Sequence, residues 1–214
     1  MSDQALRDAQ RVVRTIAQTA LDNETYFSDL DAAVADGDFG HSLANGFGRL
    51  MEQWDELKYD DVAGLLKATA VTLSSRIGGV SGPIWGTAFL RAGASLSGKP
   101  EPTADDVVAA LRAAAEGIQQ RGSAELGDKT LLDALVPATD VLEESFKNGD
   151  SPGDALAAAA REARDRAEAT LGMLAKRGRA SYTGERSRES VDPGAIAIAV
   201  MFENISAEFN ATEA

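Results

Sequence analysis

Three carboxylates, Asp31, Asp36 and Asp38, fall within eight residues, and Gly37 and Gly40 allow the chain to turn sharply around them. Asp31 belongs to the last turn of a helix and the other two to the loop that follows, so all three can converge. A set of oxygen ligands with no Cys and no neighbouring His suits a hard cation, and magnesium typically binds through one or two carboxylates together with phosphate oxygens. Three acids are enough to hold one or two Mg²⁺ ions bridging a polyphosphate. An Asp-Gly-Asp is equally what a solvated turn looks like, and an EF-hand is excluded because its spaced ligands and terminal Glu are missing.

Three other stretches carry chemistry. In Gly78-Gly79-Val80-Ser81-Gly82-Pro83, small residues ahead of a helix expose backbone N–H groups that, with Ser81 and the helix dipole, make a phosphate cradle. A tight turn explains two of these glycines but not obviously all three. Gly122 through Gly127-Asp128-Lys129-Thr130 nearly matches a Walker A pattern, but Asp128 interrupts it and no strand precedes it, which excludes a P-loop NTPase. Lys129 at the start of a helix is expected to be exposed, and Gly122 to lie against a flat base. Residues 161–190 hold eight Lys or Arg against five Asp or Glu, a local +3 in a chain of net charge −13. Arg suits bidentate contact with phosphate, and Arg177 and Arg179, in a loop, are better placed for it than Arg161, Arg164 and Arg166. His41, the single histidine, follows Gly40 at a helix start, where its charged form is disfavoured, so a surface or base-packing role is expected rather than catalysis. Trp54, Trp85, Tyr26 and Tyr182 are expected in the core or on the rim.

The elements that position these residues are helices. Apolar residues recur at three and four positions almost throughout, and strand-length alternation is hard to find, so the fold class is all-α. Eight segments are expected: A from a Ser2 N-cap to about Ala35, with a break near Asp22 and Asn23; B, 42–56; C, 62–75; D, 84–97; E, capped by Thr103, to 121; F, 130–147; G, opened by Ser151 and Pro152, to about 175; and H after Asp192 and Pro193. Running up and down as an antiparallel bundle or barrel, they put loops A–B, C–D, E–F and G–H, all rich in Gly or charge, at one end.

The 214 residues fit a single domain, 1–214, with 44% hydrophobic and 26% charged residues. With no Cys, disulfide scaffolds and Cys-based zinc sites are excluded. The acid excess argues against nucleic acid or an anionic membrane as partner. No apolar run is long enough to span a membrane, residues 1–6 lack signal-peptide character, and a cytoplasmic location is expected.

The four ordered motifs, Asp31 to Gly40, Gly78 to Thr87, Gly127 to Pro137, and Gly178-Arg179-Ala180-Ser181-Tyr182 to Asp192-Pro193-Gly194-Ala195, resemble the nucleotide-binding L subunit of dihydroxyacetone kinase over nearly the whole chain. The resemblance implies an eight-helix antiparallel barrel whose loops at one end hold ADP or ATP through two Mg²⁺ ions. It makes Asp31, Asp36 and Asp38 the magnesium ligands and gives Arg179 a catalytic role. Phe39, Gly40, His41, Ser42, Gly79, Val80, Ser81, Gly122, Leu131, Arg179, Asp192, Pro193 and Gly194 would line the nucleotide site, with Val80 and Ser81 on phosphate.

Two departures stand out: Phe39 and Ser42 occupy positions where many L subunits carry His and Asn, and Leu131 stands where Met is usual. The family also phosphorylates short ketoses such as erythrulose, and the variant motif fits such a branch. The resemblance also implies a partner, a K-type subunit that holds the ketose, and a phosphocarrier of the phosphotransferase system is a candidate donor; a homodimer is left open. Rival readings are an ADP-loaded regulatory module without catalysis of its own, and a metal-dependent phosphohydrolase that turns over alone.

Overall fold

A computed structural model describes residues 2–213, with side chains from 4 to 211, so the cap expected from the Ser2 side chain lies outside the described residues. All regular structure among them is helical: α1 Ser2–Asp22, α2 Glu24–Ala32, α3 Phe39–Glu52, α4 Val62–Arg76, α5 Ser81–Ser95, α6 Ala104–Gly122, α7 Leu132–Asn148, α8 Pro152–Glu168 and α9 Pro193–Glu213. Short 3-10 turns occupy Trp54–Glu56 and Arg179–Glu189. α1 and α2 are the two halves of segment A, hinged at Asn23, whose N–H still bonds Thr19 O and whose carbonyl accepts from Phe27 N. With those two counted together, the expected eight rods are present.

Each rod packs on the next in a ring: α3 on α4, then α5, α6, α7, α8 and α9, which returns to α1, itself against α3. Phe27, Leu43, Phe47, Leu50, Leu65, Leu73, Leu132 and Leu142 are fully buried inside, each side chain contributing roughly 1.5–3 kcal/mol. Phe47 sits edge-on to Trp85 and Phe89, with centroids 6.0 and 6.4 Å away. α8 presents Ala155, Ala159, Ala160, Ala163 and Ala167 at helical spacing, and α9 buries consecutive residues from Ala195 to Ala199. A helix apolar on every side must be enclosed, and α9 lies against α1, α2, α7 and α8. No described helix is long and apolar enough to cross a membrane.

Several boundaries differ from expectation, and three of the differences at the site end bear on the cleft. α3 begins at Phe39 rather than Ser42, and α5 at Ser81 rather than Ile84, so the motif residues form first helical turns instead of free loop. α8 stops at Glu168, short of the expected Ala175, although Ala-rich sequence favours continuing. Tertiary bonds override that propensity: the Thr170 hydroxyl bonds Ala167 O, Gly172 takes a φ of +83°, and Gly172 and Arg188 exchange two hydrogen bonds.

Candidate functional site

The four unusual loops build one cleft of about 460 Å³, within the common range of roughly 300–1,000 Å³ for small-molecule sites. Its walls include Asp31, Asp38, Phe39, Gly78 to Ser81, Ile84, Trp85, Ile118, Gly122, Ala124, Thr130, Leu131, Arg177 to Ala180 and Asp192 to Gly194.

One end is acidic. Carboxylate oxygens of Asp31, Asp36 and Asp38 lie within 4.8 Å of one another. Asp31 stands on the last turn of α2, where its carboxylate accepts the Phe39 N–H at 3.3 Å; burial, then repulsion from Asp36 and Asp38, pushes its pKa up. Arg179 reaches across from the far loop to pair with Asp36 and, at 2.7 Å, with Asp38. Its hydrogen bond holds the Asp36 carboxyl below the usual range. Three mutually repelling oxygen donors compensated by a single guanidinium fit a hard divalent cation, with Asp31, Asp36 and Asp38 as the residues able to hold it.

Beside the acids lies a helix N-terminus. Val80 stands at the cap position of α5 and makes no side-chain cap bond, and the first-turn N–H groups of a helix have no intrahelical partners. Gly79 has a φ of +62°, and a Cβ there would sit 3.4 Å from Arg179 Nη2, so the guanidinium spans the gap between this turn and the acids. A Cβ on Gly82 would come 2.3 Å from Ile77 O, so only glycine lets α5 start so close to the end of α4. Another group in the lining is apolar: Ile84, Trp85, Ile118, Ala124, Leu131 and Pro193. Gly122 and Gly194 keep it open; side chains there would press on Ile84 and on Leu131 and Asp192.

Asp192 adjoins this group through Gly194. Its Oδ2 accepts the Ala195 N–H at 2.7 Å, its own N–H bonds the Thr170 hydroxyl at 2.8 Å, and burial, against backbone hydrogen bonds and with repulsion from Asp133, pushes its pKa to about 7.

Gly40, His41 and Ser42, expected on the nucleotide side, are off the cleft wall. Because α3 starts early, these residues pack on neighbouring backbone. A Cβ on Gly40 would lie 2.0 Å from Glu24 O; exposed His41 places Nδ1 2.8 Å from Glu24 Oε1; and Ser42 Oγ would lie 3.4 Å from a Cβ on Gly78. Phe39, Gly79, Val80, Ser81, Gly122, Leu131, Arg179, Asp192, Pro193 and Gly194 do line the cleft. Arg177 bonds Asp128 Oδ2 at 2.9 Å. Lys129, expected to be exposed, is 2% exposed. Ile84, Ile118 and Arg121 line the cleft without having been singled out; in sequence they read as ordinary helix residues.

Fold and site together define an all-α barrel protein with an acidic, helix-capped and partly apolar cleft at one end. Residues 33–207 match the DAK2 domain, and the chain belongs to that family. It is 37% identical over 181 residues to the PEP-dependent dihydroxyacetone kinase, ADP-binding subunit DhaL, of Escherichia coli strain K12, covering 85% of this chain and 86% of that one. It is 35% identical over 205 residues to the L-erythrulose 1-kinase of Mycolicibacterium smegmatis, a match covering 94% of this chain but 35% of the kinase. The solved dihydroxyacetone kinase of C. freundii matches with a TM-score of 0.75 at 28% identity, over 94% of this chain and 34% of that one. The structure of that kinase in complex with AMP-PNP and Mg²⁺ gives a TM-score of 0.72 over 92% of this chain and 33% of that one.

Proposed function

We propose that this chain is the nucleotide-binding, phosphoryl-donor part of a dihydroxyacetone-type kinase. It carries ADP or ATP on two Mg²⁺ ions and works in the cytoplasm with a K-type subunit that holds dihydroxyacetone or a related short ketose. The observation that carries the reading is the meeting of Asp31, Asp36, Asp38 and Arg179 in a cleft whose lining also holds an apolar group. A phosphate chain matches the first set and a purine the second.

In this reading the three carboxylates hold the metal, which when bound supplies positive charge to phosphate oxygens. Val80 and Ser81 offer helix N-terminal N–H groups to phosphate. Arg179 leaves its carboxylate partners to donate to the transferred group. Gly122, Leu131 and the Asp192 to Gly194 turn flank the base. The only histidine stands off the cleft, so the chain works by positioning and electrostatics, and the acceptor's proton is handled by the partner.

The relatives favour two donor routes. DhaL subunits described as PEP-dependent in E. coli and PTS-dependent in Lactococcus lactis support a resident ADP recharged by a phosphocarrier. A related kinase that takes AMP-PNP supports ATP as the consumed donor. Similarity to erythrulose kinases extends the acceptor to tetruloses. Mass spectrometry of the purified protein, followed by an ATP exchange assay, separates the routes: trapped ADP indicates the phosphocarrier, fast exchange indicates ATP. Ketose phosphorylation is expected when a K-type subunit is added with the matching donor. Turnover by this chain alone, or none with either donor, overturns the reading.

A further inference from the structure

We propose that Lys129 is a positioning residue that, with Asp128, sets where Arg179 stands relative to the acidic cluster. The proposal rests on the function above only in giving Arg179 a task.

Residues 169–192 leave α8 and return to α9 without an α-helix of their own. Within the 3-10 stretch Arg179–Glu189, Ser187 alone is buried, and Gly184 breaks the helical conformation, so this excursion has almost no core to hold it. The E–F loop holds it instead. Lys129 Nζ donates to the carbonyls of Met173, Ser187 and Ser190, which lie on both sides of Arg179 in sequence. An ammonium has three N–H donors, and all three are used. Asp128 grips the same segment from the adjacent position. Its carboxylate accepts from Lys176 Nζ at 3.1 Å and Arg177 Nε at 2.9 Å, and its backbone carbonyl from Lys176 N at 3.0 Å. Two consecutive residues thus fix positions 173, 176, 177, 187 and 190 around Arg179.

Two features make this arrangement costly. Lys129 has a φ of +62°, in the left-handed region that a residue with a side chain rarely adopts. It also buries a charge with no carboxylate within ion-pair distance among the described residues, its positive end facing carbonyl dipoles, and burial drives its pKa down. Apolar residues stabilise a fold as well as buried charge does, whereas three directed bonds to chosen carbonyls specify one loop conformation. The loop residue so placed is Arg179, which spans from the Gly79 turn to Asp36 and Asp38.

The experiment compares wild type, Lys129→Met, Asp128→Asn, Arg179→Met and the Lys129→Met/Arg179→Met double variant, in full-length protein with its K-type partner. In Lys129→Met, amide exchange over 173–190 is expected to rise at least about tenfold with exchange in α4 to α7 unchanged, as local opening requires. Turnover is expected to fall at least about tenfold at constant ketose KM, and adding Lys129→Met to Arg179→Met to change it by less than about threefold, the non-additivity of residues acting as one unit. Asp128→Asn shifts both readouts in the same direction by less, and decides the matter if Lys129→Met does not fold. Unchanged exchange over 173–190, or effects of Lys129 and Arg179 that multiply, overturn the proposal. If Arg179→Met alone leaves turnover intact, the functional reading fails, and the exchange measurement still decides what holds the loop.

Discussion

At the end of the barrel away from the cleft, α4, α6 and α8 each start under a side chain of their own: Asp61 accepts the Gly64 N–H at 2.7 Å, Thr103 and Asp106 form a reciprocal capping box, and Ser151 accepts from Asp154 N ahead of Pro152. At the cleft end α9 starts under Asp192, but α5 starts under Val80 with no such bond, and Asp38, at the cap position of α3, turns its carboxylate to Arg179 instead. Two cleft-end glycines, Gly40 and Gly82, are pressed against backbone, whereas Gly98 and Gly149 at the far end, like Gly127 and Gly178 near the cleft, have open space around them and serve left-handed turns. Charges follow suit, half-buried at Lys99 and Asp106, buried at Asp128, Lys129 and Asp133. An end whose helix starts are all capped locally serves stability; an end that leaves α5 uncapped and crowds three carboxylates around one guanidinium, braced by buried polar groups, is arranged for a ligand.

That contrast breaks if the two ends respond alike to substitution. The largest effect is expected for Asp38→Asn or Asp36→Asn: ketose phosphorylation falls by about a hundredfold or more, as for loss of a transition-state charge partner, with the far-ultraviolet circular dichroism unchanged. Full activity in either variant removes the metal assignment. Next comes Gly82→Val, whose Cβ would meet Ile77 O at 2.3 Å. It should displace the start of α5 and weaken Mg²⁺–ADP binding by roughly tenfold or more in a titration, in line with an overpacking strain of about 1–3 kcal/mol.

The third concerns pH. With a folded pKa of about 7 against an unfolded value near 3.9, Asp192 keeps a proton in the fold that the unfolded chain releases. Its contribution to stability is therefore present in acid and lost as pH rises from about 4 to about 7. Asp192→Asn, which keeps the cap, should gain thermal stability relative to wild type across that window; a pH-independent gap contradicts the burial. The smallest effect belongs to the far end. Thr103→Ala should cost about 1 kcal/mol, a fall of roughly 2–4 °C in Tm for a chain of this size, with kinase turnover unchanged.

The sequence carried the rods, the hinge at Asn23 and the convergence of four loops, because helical periodicity and Gly-Asp punctuation are local signals. It carried the acidic triad through residue type and Arg179 through the family resemblance, while the ion pairs of Arg179 with Asp36 and Asp38 are legible only in the structure. It misplaced the end of α8, since alanine propensity cannot report the Thr170 and Arg188 bonds that stop the helix. It put Gly40, His41 and Ser42 with the nucleotide; a motif does not reveal that α3 begins three residues early, which sets Gly40 and His41 against α2 and Ser42 against the Gly78 turn. Lys129 was unreadable for a sharper reason. Its acceptors are three backbone carbonyls from 44 to 61 residues away, and carbonyls have no residue signature.

The central claim, that the acidic cluster and the cleft together receive a nucleotide through metal, is tested most directly by calorimetric titration of ADP into nucleotide-free protein with Mg²⁺ present and with the metal chelated. Binding in Mg²⁺ that disappears on chelation, and disappears equally in Asp36→Asn, is the expected result. ADP binding of the same affinity with and without metal would contradict it.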